Sequence, residues 1–252
     1  MEFEIIDNYT SEAIVKLFGV GVYGKNVLKY IHRKEISGLD CKESISDPDD
    51  SDLIFLIVSQ DELSNVIEDY YNLAEGSTLS YLYVMLENNI DFCNSMQLNE
   101  LQNHFDVIIP IVNKADDVES IYWSIRGITE LITTVGMICV DFADVRITTK
   151  NMGIGITSHG LANTGTDKYV AAAKQAIESL LISEIDLKNV KAFIVSIIAN
   201  ITDVEIDDYY KIGEMVKNLV SEDADVLVGL PITPNEDYEI CVSITANGVC
   251  EI

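Results

Sequence analysis

The chain has 252 residues and a formal net charge of −26, from 16 Lys and Arg against 42 Asp and Glu. A surface this acidic repels phosphate backbones and anionic lipid, which sets nucleic acid and membrane aside as expected partners. No apolar run approaches the roughly 18 residues of a membrane span. Met1-Glu-Phe-Glu lacks a basic start and a signal-peptide core, and the five cysteines show no paired spacing. A reducing cytoplasm is therefore the expected setting. His32, His104 and His159 are isolated in the sequence, and no metal site is expected. The 48% apolar content supplies core for one large domain or two modest ones.

After a short polar extension over 1–12, residues 13–18 read as a strand. Gly19-Val-Gly-Val-Tyr-Gly24 follows, then a helix from Lys25 to Arg33. Strand, glycine turn and helix together leave backbone N–H groups free to attract an anion, although the same residues also suit a plain tight turn. Gly19, Gly21 and Gly24 spell G-x-G-x-x-G, the dinucleotide motif. A nicotinamide site also wants an acid ending a second strand about 20 residues later. Asp40 has that distance, but Glu35-Ile-Ser-Gly-Leu39 makes a poor strand. An acidic connection over 41–52 leads to the apolar run 53–58, a buried parallel strand. Ser59-Gln-Asp-Glu-Leu-Ser-Asn65 then places Asp61 and Glu62 at that strand's end. Residues 43–113 contain no Lys or Arg but 14 Asp and Glu, which reads as a solvated acidic face. The rest of this half reads as a helix over 62–72, a strand over 79–86, a helix near 95–104 and a strand over 106–112.

Val118, Ile121, Ile125, Ile128, Ile132 and Val135 are spaced alternately three and four apart. They predict one buried stripe on an amphipathic helix over 116–135, with Asp116 and Glu119 as its capping pair and Gly136 as its stop. Such a rod is roughly 30 Å long, enough to cross a domain. It runs into Cys139-Val-Asp-Phe-Ala-Asp-Val-Arg146, where Asp141 and Asp144 lie three apart at the start of a short helix. At that spacing both carboxylates share a face, and a helix N-terminus favours their ionised form. They are either a pair that orients water or a simple N-cap worth about 1 kcal/mol. Beyond them the pattern predicts a strand over 153–159 and a helix over 166–181 packed closely through Ala171, Ala172, Ala173 and Ala176. A strand over 191–199, a helix over 206–220 and strands over 225–230 and 238–246 complete a small mixed sheet.

Arg126-Gly-Ile-Thr-Glu-Leu-Ile132 and Val140-Asp-Phe-Ala-Asp-Val-Arg146 resemble the central helix and following loop of FtsZ, the bacterial relative of tubulin. The likeness continues through Asn151-Met-Gly153, Ala171-Ala-Ala-Lys-Gln-Ala-Ile177, Ile185-Asp-Leu187 and Ser243-Ile-Thr-Ala246. In that family the loop acids reach across a filament contact and help hydrolyse the GTP of the next subunit, and Asp141 and Asp144 stand at those positions. Cys139 replaces the family's asparagine. Asn26 and Asp117 match the residues that recognise guanine, Asp117 being equally readable as a first-turn acid facing its helix dipole. Val22, Tyr23 and Lys25 replace family glycines, and the bulk of Tyr23 is expected to intrude on phosphate space. The glycine-threonine signature loop is missing after residue 58, where Asp61 and Glu62 stand instead. The family's arginine near the nucleotide has no counterpart. The N-terminal half is shorter than a GTPase domain of this family, mostly between Arg33 and Asp52. The family's flexible linker and partner-docking tail do not follow Ile252.

The resemblance implies an α/β fold: a reduced tubulin/FtsZ-like, Rossmann-type N-terminal domain over 1–114, a long central helix over 115–136, and a small α+β C-terminal domain with a mixed sheet over 137–252. It implies a filament-associated, prokaryotic relative of the cell-division cytoskeleton. Such a chain hydrolyses GTP weakly or not at all, with Gly19, Gly21, Gly24, Asn26 and Asp117 as a degraded GTP/GDP site. It presents Asp141 and Asp144 to an FtsZ-like partner or to another copy of itself. The alternatives are a divergent self-assembling GTPase and a dinucleotide-binding protein.

Overall fold

The computed structural model describes residues 13–43, 51–64, 78–86, 96–112, 117–163, 167–181, 186–199, 206–231 and 240–249. β1 (Val15–Gly19) leads into α1 (Gly21–Lys34), followed by β2 (Leu39–Lys42) and β3 (Leu53–Ser59). Next come β4 (Leu79–Leu86), α2 (Met96–Leu101), β5 (Val107–Val112) and the central helix α3 (Asp117–Thr133). The chain continues through β6 (Gly136–Ile138), α4 (Phe142–Thr149), β7 (Gly153–Ala162) and α5 (Lys168–Leu181). β8 (Ala192–Ala199), α6 (Ile206–Lys217), β9 (Asp225–Pro231) and β10 (Ile240–Asn247) complete it.

All ten strands join one sheet in the order β2-β1-β3-β4-β5-β7-β10-β8-β9-β6. From β2 to β5 the pairing is parallel throughout. That is why β3 is an unbroken apolar run, buried from Leu53 to Val58: helices cover such a sheet on both faces. β5 and β7 also pair in parallel, through Val107 with Gly153 and Ile108 with Ile154, and this short seam joins the two halves of the sheet. Beyond it β7, β10 and β8 are antiparallel neighbours, β8 and β9 parallel, and β9 and β6 antiparallel. The expected mixed sheet is present as a continuation of the first one. Two cores lie on its opposite faces, one packed with α2, α5 and α6, the other with α1 and α3, and each draws residues from both halves of the chain.

Several expected boundaries shift. α1 starts at Gly21 rather than Lys25, so the first turn of the helix absorbs the end of the glycine motif. The poor strand signal before Asp40 hides β2, an edge strand held by backbone pairing to β1, which needs no apolar run. Of the helix expected over 62–72, residues 65–72 lie outside the described residues, and Gln60–Glu62 form a 3-10 turn. Asp116 also lies outside them.

The largest difference concerns α3. The expected stripe is there, with Ile121, Ile125, Ile128 and Ile132 buried, but Val135 follows the helix and is 61% exposed. Nor is the helix amphipathic in its middle, because every residue from 121 to 132 is buried. The charged members of that run are satisfied locally, whereas Thr129 Oγ1 is buried without a hydrogen bond. Arg126 Nε donates to Glu130 Oε1 at 2.9 Å and its Nη1 to the Tyr122 hydroxyl at 2.8 Å, while the guanidinium stacks 5.3 Å from the Trp123 ring centroid. Burial works against the Arg126 charge, and Glu130 and Tyr122 more than offset it, so its pKa is raised. These contacts make the helix a core element despite its charges. Ile125→Asp, placing an unpaired charge in a fully buried site, should cost several kcal/mol and abolish the cooperative thermal transition. Val135→Asp should leave the Tm within the range of an ordinary surface change, about 0.5 kcal/mol, despite its place in the apolar pattern.

Candidate functional site

The C-terminal ends of parallel strands are where an open α/β sheet binds ligands. Gly19 ends β1, Gly21 and Gly24 fall in the first turn of α1, and the turn bearing Asp61 and Glu62 follows β3 at the same edge. α3 begins there too, with Asp117 as its first residue. Gly19 and Gly24 serve packing: a Cβ on Gly19 would meet Gly24 backbone and lie 2.9 Å from Leu28 Cβ, and one on Gly24 would run into Ile57 O and the Gly19 backbone. They let α1 sit directly on β1 and β3, the close helix–strand contact the motif requires.

Gly21 does something else. Its φ is +68°, a conformation open to glycine, and the space where a Cβ would stand is taken by the Glu62 carboxylate. Glu62 Oε2 is buried and accepts no hydrogen bond. Tyr23, expected to intrude on this space, instead packs its ring against the core beneath α1. Asn26 lies exposed on α1, one turn further on. Asp40 is well away: it pairs with Lys16 in the sheet, three residues short of Gly19, and forms an ion pair with Lys42 at 3.1 Å. It does not end the second strand beside the glycine turn as a ribose-binding acid would.

The second acidic pair sits at the other end of the molecule. α3 has 17 residues and spans about 26 Å. Its last residue, Thr133, donates its hydroxyl to Ser37 O at 3.0 Å, just before β2 and thus at the opposite edge of the parallel strands. From there β6 and the loop lead to Asp141, the N-cap of α4. Asp141 Oδ1 accepts from Ala143 N at 3.2 Å, and Asp144 Oδ2 accepts in return from Asp141 N at 3.3 Å, a reciprocal capping box. Each carboxylate is therefore held by the other's segment and both remain exposed. Of the two sequence alternatives the cap is observed: one oxygen of each acid caps, and the side chains still face solvent. Cys139, Val135, Met137 and Ile147, near them in sequence, are also exposed.

Two buried polar links at the base of the sheet escape any reading of spacing. Asp106 Oδ2 accepts from Ser80 N at 2.9 Å and Ser80 Oγ at 3.1 Å, while Oδ1 takes Asn151 N and Lys150 Nζ at 3.1 Å each. Asn247 Nδ2 donates to the Tyr81 hydroxyl at 3.0 Å and Thr148 O at 2.8 Å. Burial raises the Tyr81 pKa to about 12, partly opposed by its bonds with Thr149 and Asn247. These residues are far apart in sequence, and of them only Asn151 falls within a segment that carries the FtsZ resemblance. Among the described residues no three His, Cys, Asp or Glu side chains group as a metal site, and no helix is long and apolar enough to cross a membrane.

A sheet with parallel strands on one side, a mixed extension on the other and a buried helix between defines the architecture of the tubulin and FtsZ proteins. Solved structures agree: an empty FtsZ dimer from M. jannaschii superposes with a TM-score of 0.77, covering 94% of this chain and 89% of that one at 18% identity. CetZ from Methanosaeta thermophila gives 0.63, with 93% and 86% covered at 15% identity. The sequence narrows the class. Residues 150–250 match the C-terminal domain of the FtsZ family. The cell division protein FtsZ of Coxiella burnetii is 32% identical over 165 residues, which is 65% of this chain and 42% of that protein. That of Haemophilus influenzae is 37% identical over 131 residues, 51% of this chain and 31% of its own length. The chain thus spans less than half the length of these relatives, and it is an FtsZ-like protein.

The cap can be measured. Asp141→Ala should destabilise the protein by about 1 kcal/mol. Adding Asp144→Ala should cost less than the sum of the two single changes, because both bonds belong to one box. Urea unfolding of the two single variants and the double variant measures the coupling.

Proposed function

We propose that this FtsZ-like chain is a filament-associated protein that hydrolyses GTP weakly or not at all and offers its Asp141–Asp144 loop to the nucleotide of a GTP-bearing partner. The observation that carries this reading is the asymmetry between the two ends of α3. At one end the acids are pre-set by the capping box and exposed, as are Val135, Met137 and Ile147 close by in sequence. At the other, the Glu62 carboxylate fills the space over Gly21 where a side chain would stand. The family's guanine nucleotide does not fit that turn as it stands. A carboxylate there opposes a triphosphate by charge as well as by bulk, so the positions of Asn26 and Asp117 alone do not make a nucleotide site.

The two ends are also too far apart for one molecule to bring its acids to its own glycine turn, so any role of Asp141 and Asp144 in hydrolysis requires a second subunit. A molecule with a prepared acidic end and a blocked nucleotide end docks onto a filament without receiving the next subunit, and so caps it in the cytoplasm of its host. The rival, a self-assembling GTPase, differs in every measurement that follows.

Purified protein should release phosphate from GTP far more slowly than an ordinary FtsZ. Mixed with FtsZ from its own host and GTP, it should shorten filaments at substoichiometric amounts, and Asp141→Ala/Asp144→Ala should remove the effect. Phosphate release at the ordinary rate by the protein alone would establish the rival, and unchanged filaments at equimolar protein would end the capping role.

A further inference from the structure

We propose that Glu62 is a built-in anion: its carboxylate occupies the phosphate position of the Gly19–Gly24 turn, keeps that turn formed without nucleotide, and when removed uncovers a site for a phosphate or pyrophosphate group. The inference rests on the reading of the blocked end above and goes beyond it, since a turn that has merely lost its ligand need not have an occupant. Three observations converge on one point. Gly21 holds the φ of +68° that turns the chain into α1 and leaves a cradle with no side chain of its own. The atoms a Cβ at Gly21 would meet are the two oxygens and the carboxyl carbon of Glu62. Glu62 Oε2 is buried there without a hydrogen-bond partner.

A buried carboxylate oxygen with no partner is unfavourable wherever it lies, unless a fixed positive potential opposes the loss of water. The start of α1 supplies one. The helix has 14 residues, its N-cap Val20 makes no side-chain cap, and its first turn contains no acid. Its dipole is thus uncompensated by its own sequence, and Glu62, reaching in from the end of β3, is the anion set against it. The side chain is an adequate stand-in in charge and size, although it is held from behind by the 3-10 turn of Gln60–Glu62 and not by bonds to the helix. Glu62 therefore makes the turn independent of ligand and at the same time excludes one. With the carboxylate gone, the glycine cradle and the helix start remain, and a mobile anion of similar size takes the position.

The test compares wild type with Glu62→Ala by thermal melting in sodium pyrophosphate, in inorganic phosphate and in GTP, each against sodium chloride at equal ionic strength. Wild type should show no shift in any of them. Glu62→Ala should gain about 3 °C in pyrophosphate at concentrations well above its Kd, because a ligand that binds only the native state raises Tm. Glu62→Ser takes its place if the alanine variant does not fold. A wild-type shift equal to that of the variant would overturn the proposal, since the position would then be open already. A variant indifferent to all three anions would overturn it equally, leaving Glu62 an ordinary packed acid. That second result leaves the weak-hydrolysis reading intact, because phosphate release by wild type is measured separately. A response to GTP matched by pyrophosphate locates the gain at the phosphate position, whereas a response to GTP alone places it elsewhere and overturns the assignment.

Discussion

The close contact between α3 and the sheet underlies the rest of the architecture. Gly127 sits where a Cβ would lie 3.1 Å from Ser243 Cβ and Oγ and 3.2 Å from Ser196 Cβ, tighter than side chains ordinarily pack. Ser196 and Ser243 are cross-strand partners on β8 and β10, so one glycine rests on two small residues side by side. Because interiors are packed like organic crystals, the approach there sets the height of the whole helix over the sheet. At this height Ile125 and Ile128 are buried, Tyr30 on α1 meets Tyr122 edge-on at 6.0 Å, and Trp123 stacks against His159 on β7 at 6.3 Å. A larger residue at 127 would lift the helix from both halves of the sheet together.

Polar links pin the same arrangement laterally. Tyr83, from the parallel half, bonds Ser124 on α3 at 2.8 Å, and Ser124 lies 3.2 Å from Thr245 on β10. Tyr81 bonds Thr149 at 2.9 Å and Asn247 at 3.0 Å, and Asp106 bonds Lys150 and Asn151. Each of these chains runs from the first half of the sequence to the second. The β5–β7 seam is only two residue pairs long, so these buried groups contribute much of the specificity with which the halves are joined. A misaligned joint would strand several of them without partners, at about 1–3 kcal/mol each. The burial that makes them costly to strand also raises the pKa of Tyr81 and Tyr83 well above that of a free phenol, keeping both neutral as donors and acceptors.

Function follows from where this rigid unit places its two ends. The rod of α3 separates the Gly19–Gly24 turn from the Asp141–Asp144 loop, and neither end needs to move for the other to be formed. The loop is set by its own capping box and the turn by Gly21 and Glu62. Both ends are therefore formed within the one chain, the acids of the proposed contact at one and the Glu62 carboxylate over Gly21 at the other. An assembly built from such a unit has a defined direction, because the two ends carry different chemistry.

The sequence alone determined much of this. The apolar runs of β3, β4 and β5 and the three-four spacing of Ile121, Ile125, Ile128 and Ile132 are local signals, since burial on one face or two writes itself into successive residues. The Asp141–Asp144 spacing likewise specified its own cap, because both bonds of the box close within four residues. The tertiary structure decided what depends on groups distant in sequence. β2 was hidden because an edge strand is defined by its neighbour β1 rather than by its own residues. The burial of Arg126 and Glu130 was invisible because a charged pair spaced four apart looks the same on a surface and in a core. Val135 fitted the apolar pattern, yet the chain leaves the helix just before it. Above all, Glu62 could be read as an acid near the glycine turn, but not as the occupant of it. Which side chain fills the space over Gly21 is settled by how the 3-10 turn after β3 aims its last residue, a three-dimensional fact with no trace in spacing.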